Sequence, residues 1–445
     1  MNIDKNGKLI IDLLVNNGFK AYVVGGFVRN SIMQIPTTDT DIATSALVEQ
    51  TEKVLNDNNI KYIETGIKHG TVTAIIDDEQ FEITTFRTDG KYDDYRHPDN
   101  VKFVSSLKED LNRRDFTINA MAYNEKDGLI DLFGGKNDID NRIIRTVGNP
   151  DTRFKEDALR IMRALRFSST LYFDIEPNTK KAIFDNAKLL DNVSKERIFD
   201  ELCKLLLGDN VENVLIEYKD IIAQIIPELI PTFDCEQHTK WHKYDVYTHS
   251  VKSIAYSPKN IEIRLTMLLH DIAKPVCKTT DDKGVDHFKG HPKMGVPIAD
   301  NILKRFKVSN NFRNKILMYV RYHDYVMDTN RPSLKRWINK VGKENIENLI
   351  EIKISDMMSH NLVYAQTDID YFFEIRDVIR DILDSDEPME IKQLAVNGND
   401  LKEINIEGEE IGETLNFLLD RVIENPVNND KDYLLRLANI YNENK

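Results

Sequence analysis

AYVVGGFVRNSIMQIPTTDTDIA occupies Ala21 to Ala43 of a 445-residue chain. A short β-branched apolar run, Tyr22 to Val24, stops at Gly25-Gly26, and a helix carrying Arg29 is expected next. Asp39 and Asp41 then stand two apart. With Thr38 to Ala43 as a strand, alternation sets both carboxylates on one face. Neighbouring carboxylates repel unless a cation lies between them, and hard oxygen donors suit Mg²⁺. The glycine pair carries no Cβ, so its backbone N–H groups can approach a phosphate closely. A phosphate cradle beside a magnesium pair belongs to nucleotide chemistry. The plain alternative is a tight turn followed by a solvated Asp-rich loop, and the stretch alone leaves both open.

The length suggests about three domains. Three widely spaced cysteines, Cys203, Cys235 and Cys277, form neither a disulfide framework nor a metal-binding pair, so a reducing cytoplasmic setting is expected. No run of about 18 apolar residues occurs, so no membrane span is expected. The net charge of −14 argues at first against nucleic acid, but it is unevenly spread. From Asp381 onward 16 acidic residues face 6 basic ones, whereas Arg145 to Phe167 carries six basic against three acidic side chains. A basic stripe on an acidic protein still fits a polyanionic partner.

Outward from the glycine pair, strand and helix signals alternate. Leu9 to Leu14 reads as a helical turn and Leu47 to Asn56 as a helix. Thr71 to Ile76 and Phe81 to Phe86 are β-rich runs parted by DDEQ, a hairpin signal. Glu82 sits in the second run as a third carboxylate. RTDGKYDDYRHP, Arg87 to Pro98, reads as a mobile loop. LNRRDFTINAMAY sets Arg113, Arg114 and Asp115 beside an apolar helical stretch, and from Asn149 on nearly everything reads as helix.

FKEDALRIMRALRF places Glu156, Arg160, Arg163 and Phe167 on one helical face, which by itself describes an exposed helix laced with ion pairs. Asp157 and Arg160 add something more specific. A carboxylate accepts from an exocyclic amino group while a guanidinium donates to a ring nitrogen. Cytosine and adenine both present an amino group beside a ring-nitrogen acceptor, and uracil and guanine reverse that order. One Asp/Arg pair could therefore take C and A and refuse U and G.

GGFVRN, DTDIA, FEITTFR, RTDGKYDDYRHP, RRDFTINAMAY, DLFGG and KEDALRIMRALRF, in this order, resemble bacterial tRNA nucleotidyltransferases of the poly(A)-polymerase-like class, the CCA-adding enzymes. The resemblance implies an α+β, polymerase-β-like head followed by all-α neck, body and tail domains. The corresponding divisions are a head at 1–145, a neck at 146–235, an HD domain at 236–365 and a tail at 366–445. It implies Mg²⁺ on Asp39 and Asp41 with Glu82 as a third carboxylate, and triphosphate contacts from Gly26 and Arg29. Arg114 and Asp115 would lie near the ribose, with Asp115 reading the 2′-OH. Asp157 and Arg160 would be the template for the incoming base, with Arg163 and Arg166 nearby. VSKERIFDEL, with Ser194, Glu196 and Arg197, resembles the motif that closes the neck. LAVNGNDL and GEEIGETLNFLLDRVIENP resemble the family's tail, with a turn and helix start at Asn397 to Asp400. CTP, ATP and the tRNA 3′ end are the implied partners, with no membrane and no obligate protein partner. The intact loop after Phe86 speaks against a CC-only enzyme. Poly(A) polymerase and A-adding enzymes remain the nearest alternatives, and a phosphohydrolase with a nucleotide-binding head is the alternative from another class.

Eight of the ten histidines fall between His238 and His360. Histidines grouped with an adjacent Asp behind the apolar MLL run suggest a metal site. This region resembles an HD domain, a helical metal-dependent phosphohydrolase fold. The resemblance implies His249, His270, Asp271 and Asp356 as ligands of one ion, with His291 and His323 for a second. Imidazole-rich ligation favours Ni, Co, Mn or Fe. HD domains attached to such enzymes hydrolyse 2′,3′-cyclic phosphates in some bacteria and carry degenerate sites in others. The pattern here is intact, and the alternative is a helical scaffold for tRNA.

Overall fold

The computed structural model describes residues 1–37, 40–89 and 101–444, so Asp39 and most of the RTDGKYDDYRHP loop lie outside the described residues. The chain divides into two compact units, Met1–Pro227 and Glu228–Lys445.

The first unit opens with helix α1 (Lys5–Asn16), capped by the Asp4 carboxylate and burying Ile10, Ile11 and Leu14. Strand β1 (Ala21–Val24) is buried at every residue, which is why it reads as a continuous apolar run. After α2 (Gly26–Ile32), β2 (Ile42–Thr44) and α3 (Val48–Asp57) come β3 (Lys61–Gly66), β4 (Thr71–Ile76) and β5 (Glu79–Thr85). Further on lie β6 (Arg87–Asp89), β7 (Val101–Phe103), α4 (Leu107–Asn112), β8 (Met121–Asn124) and β9 (Gly128–Asp131). Seven strands form one sheet in the order β3-β4-β5-β2-β1-β8-β9. Only β2 and β5 run parallel within it. Tyr22, Val24, Phe86, Leu107 and Leu111 share one core cluster. This is the expected α+β, polymerase-β-like head.

Several local expectations change. The hairpin is tighter than DDEQ suggested, because Ile76 pairs with Glu79 and leaves Asp77-Asp78 as a two-residue turn with φ of 52° and 63°. Of the strand expected over Thr38 to Ala43, Thr38 and Asp39 lie outside the described residues, and among the rest the strand spans Ile42–Thr44. Just before it, the backbone carbonyl of Asp41 accepts from Val24 N at 3.0 Å. The helical reading of FTINAMAY is wrong. Thr117–Asn119 is a single 3₁₀ turn and Met121–Asn124 pairs with β1, a case in which sheet pairing overrides a short, ambiguous apolar run. Arg87–Asp89, expected as the start of a loop, pairs with Val101–Phe103.

From α5 (Gly135–Asp140) onward the first unit is mainly helical, with α6 (Pro150–Glu156), α7 (Leu159–Leu171), α8 (Pro177–Asp185) and α9 (Lys195–Leu206). FKEDALRIMRALRF is therefore not one helix. The chain is extended at Asp157, with φ −139° and ψ 103°, and the Asp157 carboxylate accepts from Leu159 N at 3.1 Å to start the next helix.

The second unit is built from helices apart from one short pair, Thr279–Thr280 with Asp286–His287. Helices Val246–Tyr256, Ile261–Leu269, His291–Arg305, Asn310–Tyr322 and Lys343–Met358 carry or flank the histidines. Its last segment packs Leu401, Leu418, Val422 and Leu434 into a cluster of its own. Asn397 starts the Gly398–Lys402 helix, and Asp400 accepts back from Asn397 N at 2.8 Å, as the sequence signal implied. Among the described residues no helix is long and apolar enough to cross a membrane.

Candidate functional site

A cavity of about 610 Å³ in the first unit gathers Gly25, Gly26, Arg29, Asp41, Arg113, Arg114, Asp115, Asp157, Arg160, Arg163, Arg166 and Arg197. Seven guanidiniums face three carboxylates across it. That surplus of positive charge is what a triphosphate would neutralise. Gly25 has φ +67°, and a Cβ there would stand 3.2 Å from Arg114 Nη1, so only glycine lets the arginine lie against the turn. Glu82 does not line the cavity. It is exposed on β5, and the parallel Ile42↔Ile83 register sets it alongside Asp41.

Buried carboxylates hold the arginines in place. Asp110, fully buried, accepts from Arg113 Nε at 3.0 Å and from Arg114 Nη2 at 3.2 Å. Asp115 Oδ2 accepts from Arg163 Nε at 2.8 Å and Nη2 at 2.6 Å, while its Oδ1 accepts from Asn119 at 3.1 Å. Burial alone would raise the Asp115 carboxyl; Arg163, Asn119 and Arg160 overcome it and hold the group well below the usual range. In return Asp115 keeps Arg163 firmly charged despite its burial. Glu201 holds Arg166 at 3.2 Å. Burial lowers the Arg29 guanidinium to about 10, still charged at neutral pH; its Nη1 donates to Asn119 at 2.6 Å. Arg29, Arg163 and Arg166 surround the Phe167 ring at 5.1, 5.5 and 4.1 Å.

Asp157 and Arg160 both line this cavity. Arg160 Nη1 donates to Glu156 Oε2 at 2.7 Å and to Arg153 O at 3.1 Å, and Nη2 donates to Arg113 O at 3.0 Å. Asp157 Oδ2 accepts from Arg197 at 3.2 Å. Both side chains are thus fixed before any base arrives.

The second unit brings all six expected ligands together. His249 Nε2 lies 2.9 Å from Asp356 Oδ1 and 3.4 Å from Asp271 Oδ2. His270 Nε2 is 3.2 Å from Asp271 Oδ2, and His291 and His323 approach Asp271 Oδ1 at 3.2 and 3.6 Å. His270, His291 and His323 each direct Nδ1 to a backbone carbonyl, of Met267, Phe288 and Val320, at 2.8 Å. His249 Nδ1 meets Ser359 Oγ at 2.7 Å. Each Nε2 is thereby turned inward toward Asp271 and Asp356, the arrangement that orients metal-ligating imidazoles; His249 Nε2 meets Asp356 Oδ1 at 2.9 Å and His291 Nε2 lies 3.1 Å from His323 Nε2. Both Asp271 oxygens and His270 Nε2 are buried without a hydrogen bond. Lys274 Nζ stands 2.6 Å from Asp271 Oδ2 but outside hydrogen-bond angles. Burial would lower His270, yet Asp271 and Asp356 push it up to about 10. Two enclosed carboxylates require compensating positive charge, and a bound cation fits the donor set.

Sequence reasoning missed Asp110, Asn119 and Glu201 in the first unit: Asp110 lies three and four residues before Arg113 and Arg114 and Asn119 four after Asp115, spacings that were the available signal, whereas Glu201 reaches Arg166 only through the fold. In the second it missed His242 and His360, which form a further potential ligand group with His249. His360 lies one helical turn after Asp356, at 3.5 Å from its Oδ1, and that spacing was the available signal.

A family model described as "Poly A polymerase head domain" matches residues 21–145, one for the RNA and SrmB-binding site of polymerase A matches 172–232, and one for tRNA nucleotidyltransferase domain 2 matches 294–438. The CCA-adding enzyme of Ligilactobacillus salivarius (strain UCC118) is 35% identical over 438 residues, 96% of this chain and 94% of the relative. The crystal structure of the Bacillus stearothermophilus CCA-adding enzyme in complex with CTP superposes with a TM-score of 0.74 at 29% identity, covering 98% of this chain and 97% of that one. The Thermotoga maritima CCA-adding enzyme complexed with tRNA shares the fold at a TM-score of 0.58 and 20% identity, covering 99% and 96%. A relative above 30% identity across nearly the whole chain, with a head of matching architecture, settles the family: this chain belongs to the CCA-adding enzymes, tRNA nucleotidyltransferases with a polymerase-β-like head.

Proposed function

We propose that this protein adds C, C and A to the 3′ end of tRNA from CTP and ATP. The observation that carries the reading is the single cavity that joins Asp41 and the Gly25 turn to Asp157, Arg160 and six further arginines. Arg29 and Arg166, each braced by a neighbouring side chain, bind the triphosphate. Asp115, steadied by Arg163 and Asn119, accepts from the ribose 2′-OH. Asp157 and Arg160 read the amino group and ring nitrogen shared by cytosine and adenine. The tRNA 3′-oxygen forms a bond to the α-phosphorus, the α–β bridging bond breaks, and pyrophosphate leaves. Enzymes of this family are metal-dependent. We assign Mg²⁺ to Asp39 and Asp41, with Glu82 alongside; bound there it would neutralise charge on the attacking oxygen and the triphosphate. The four divisions at 1–145, 146–235, 236–365 and 366–445 are part of this proposal, as is a cytoplasmic setting.

The test is extension of tRNA lacking CCA with each nucleoside triphosphate, followed by 3′-end sequencing. Addition of CCA and then arrest supports the reading. Addition of A alone, or an unbounded A tail, replaces it with an A-adding or poly(A) activity. Asp41→Ala should lose addition while keeping the parent's unfolding profile.

We infer further that the His/Asp cluster holds transition-metal ions and hydrolyses a phosphate ester. Four inward Nε2 donors around the unbonded oxygens of Asp271 support this.

A further inference from the structure

A groove beside the His/Asp cavity has no role in the activities above. Lys293, Arg321, Tyr322, Tyr325 and Lys340 line about 350 Å³ of it. Gly290 and Asp324 belong to its wall and also to the wall of the 650 Å³ cavity that holds the metal-ligand cluster. Tyr322, Tyr325 and Trp337 meet edge to face, with centroids 5.7, 5.5 and 4.5 Å apart. Tyr325 is nevertheless 47% exposed. Lys340 lies over all three rings at 4.6, 5.2 and 4.6 Å, and Arg321 lies over Tyr322 at 5.8 Å.

Among the described residues, none of Lys293, Arg321 and Lys340 has a carboxylate within ion-pair distance. The one acid of the groove, Asp324, is already met by Lys353 at 3.2 Å. A lysine over an exposed ring is worth about 0.5–1 kcal/mol and occurs on ordinary surfaces. What ordinary packing does not account for is an aromatic face rimmed by three cations without carboxylate partners and sharing a wall with the cavity of the His/Asp cluster. Half-exposed rings with a basic rim are how proteins hold single-stranded nucleic acid: bases stack on the rings and the cations follow the backbone.

The far end of the cavity repeats the pattern. Ring contacts run from His242 through His249 and His270 to His323. Trp241, next to His242, carries Lys240 over its face at 4.7 Å. A basic aromatic pair thus stands at each end of the cluster.

We propose that this groove binds single-stranded RNA and delivers its phosphate into the His/Asp cavity, so that the substrate of the second unit is an RNA end and not a free mononucleotide. The inference rests on the phosphohydrolase reading of that cavity. A protein partner for the same face is disfavoured by the cations without carboxylate partners around rings already stacked on one another.

The test uses the full chain, a single-stranded RNA hexamer ending in a 2′,3′-cyclic phosphate, and 2′,3′-cyclic AMP. For the parent, kcat/KM on the hexamer should exceed that on cyclic AMP at least tenfold. Tyr325→Ala and Arg321→Glu should each remove most of that advantage, with cyclic AMP hydrolysis and metal content unchanged. Ultraviolet cross-links from the hexamer should map to the Tyr322–Tyr325 peptide and be lost in Arg321→Glu. Equal kcat/KM for both substrates, or hexamer hydrolysis and cross-links indifferent to both substitutions, overturns the groove while leaving the phosphohydrolase reading intact. A parent that binds no metal and hydrolyses neither substrate overturns that reading, and the delivery proposal with it.

Discussion

At the scale of single residues, the nucleotide cavity depends on buried acids that hold its arginines in place. Asp115 and Asp110 both ionise below the usual carboxylate range because paired guanidiniums outweigh their burial. Their folded pKa values lie under the unfolded value of about 3.9, so the unfolded chain takes up protons first as pH falls. The stabilisation is full above that pH and is lost progressively below it. Asp115→Asn should cost about 1–3 kcal/mol at pH 7, since it leaves Arg163 without its partner. It should also flatten the decline in stability between pH 5 and 3; urea midpoints across that range measure both effects. A variant with the parent's acid limb would show that Asp115 is not the group responsible.

At the scale of elements, turns and helix ends set the chemistry. Gly25 closes β1 with a φ that L side chains rarely adopt. Gly25→Ala should cost about 1–2 kcal/mol in backbone strain. It should also displace Arg114, so that affinity for CTP falls about tenfold or more in a titration while thermal unfolding shifts only modestly. Unchanged CTP affinity would remove the glycine turn from the phosphate cradle. This element was legible in the sequence because a β run, a glycine pair and an arginine lie within nine residues. The break at Asp157 was not: helical spacing across FKEDALRIMRALRF is nearly perfect, and only the cap made by the Asp157 side chain reveals two helices. The strand at Met121–Asn124 was hidden for a related reason, since AMAY suits either period until β1 supplies a partner. Glu201 was missed because an ordinary acid in an amphipathic helix gains meaning only from the arginine that the fold brings beside it, whereas the i,i+3 and i,i+4 spacing of Asp110 to Arg113 and Arg114 was there to be read.

At the scale of the molecule, each unit carries its own candidate ion chemistry, oxygen-ligated in the first and mostly imidazole-ligated in the second. His270 and Asp271 follow directly on the Ile261–Leu269 helix, and His323 caps the end of Asn310–Tyr322, so rigid elements place the ligands. His249, His270, Asp271, His291, His323 and Asp356 were legible through the HD resemblance. His242 and His360 stood outside that resemblance, and only the one-turn spacing of His360 after Asp356 pointed to either. Changing His270 and Asp271 together to Ala should remove tightly bound transition metal, measured by elemental analysis, together with cyclic-phosphate hydrolysis. CCA addition with Mg²⁺ should persist, because every residue assigned to it lies in the first unit. Loss of both activities with the fold preserved would show that the two chemistries are coupled.

The central claim is that side chains of one arginine-lined cavity, and no nucleic-acid template, choose C and A. The most direct measurement is kcat/KM for CTP and for UTP on tRNA lacking CCA, in the parent and in Asp157→Ala and Arg160→Ala. Loss of a hydrogen-bonding edge typically costs about 1–3 kcal/mol, so the CTP preference should fall roughly tenfold to a hundredfold in each variant, with triphosphate binding much less affected. Variants that still refuse UTP as strongly as the parent would contradict it.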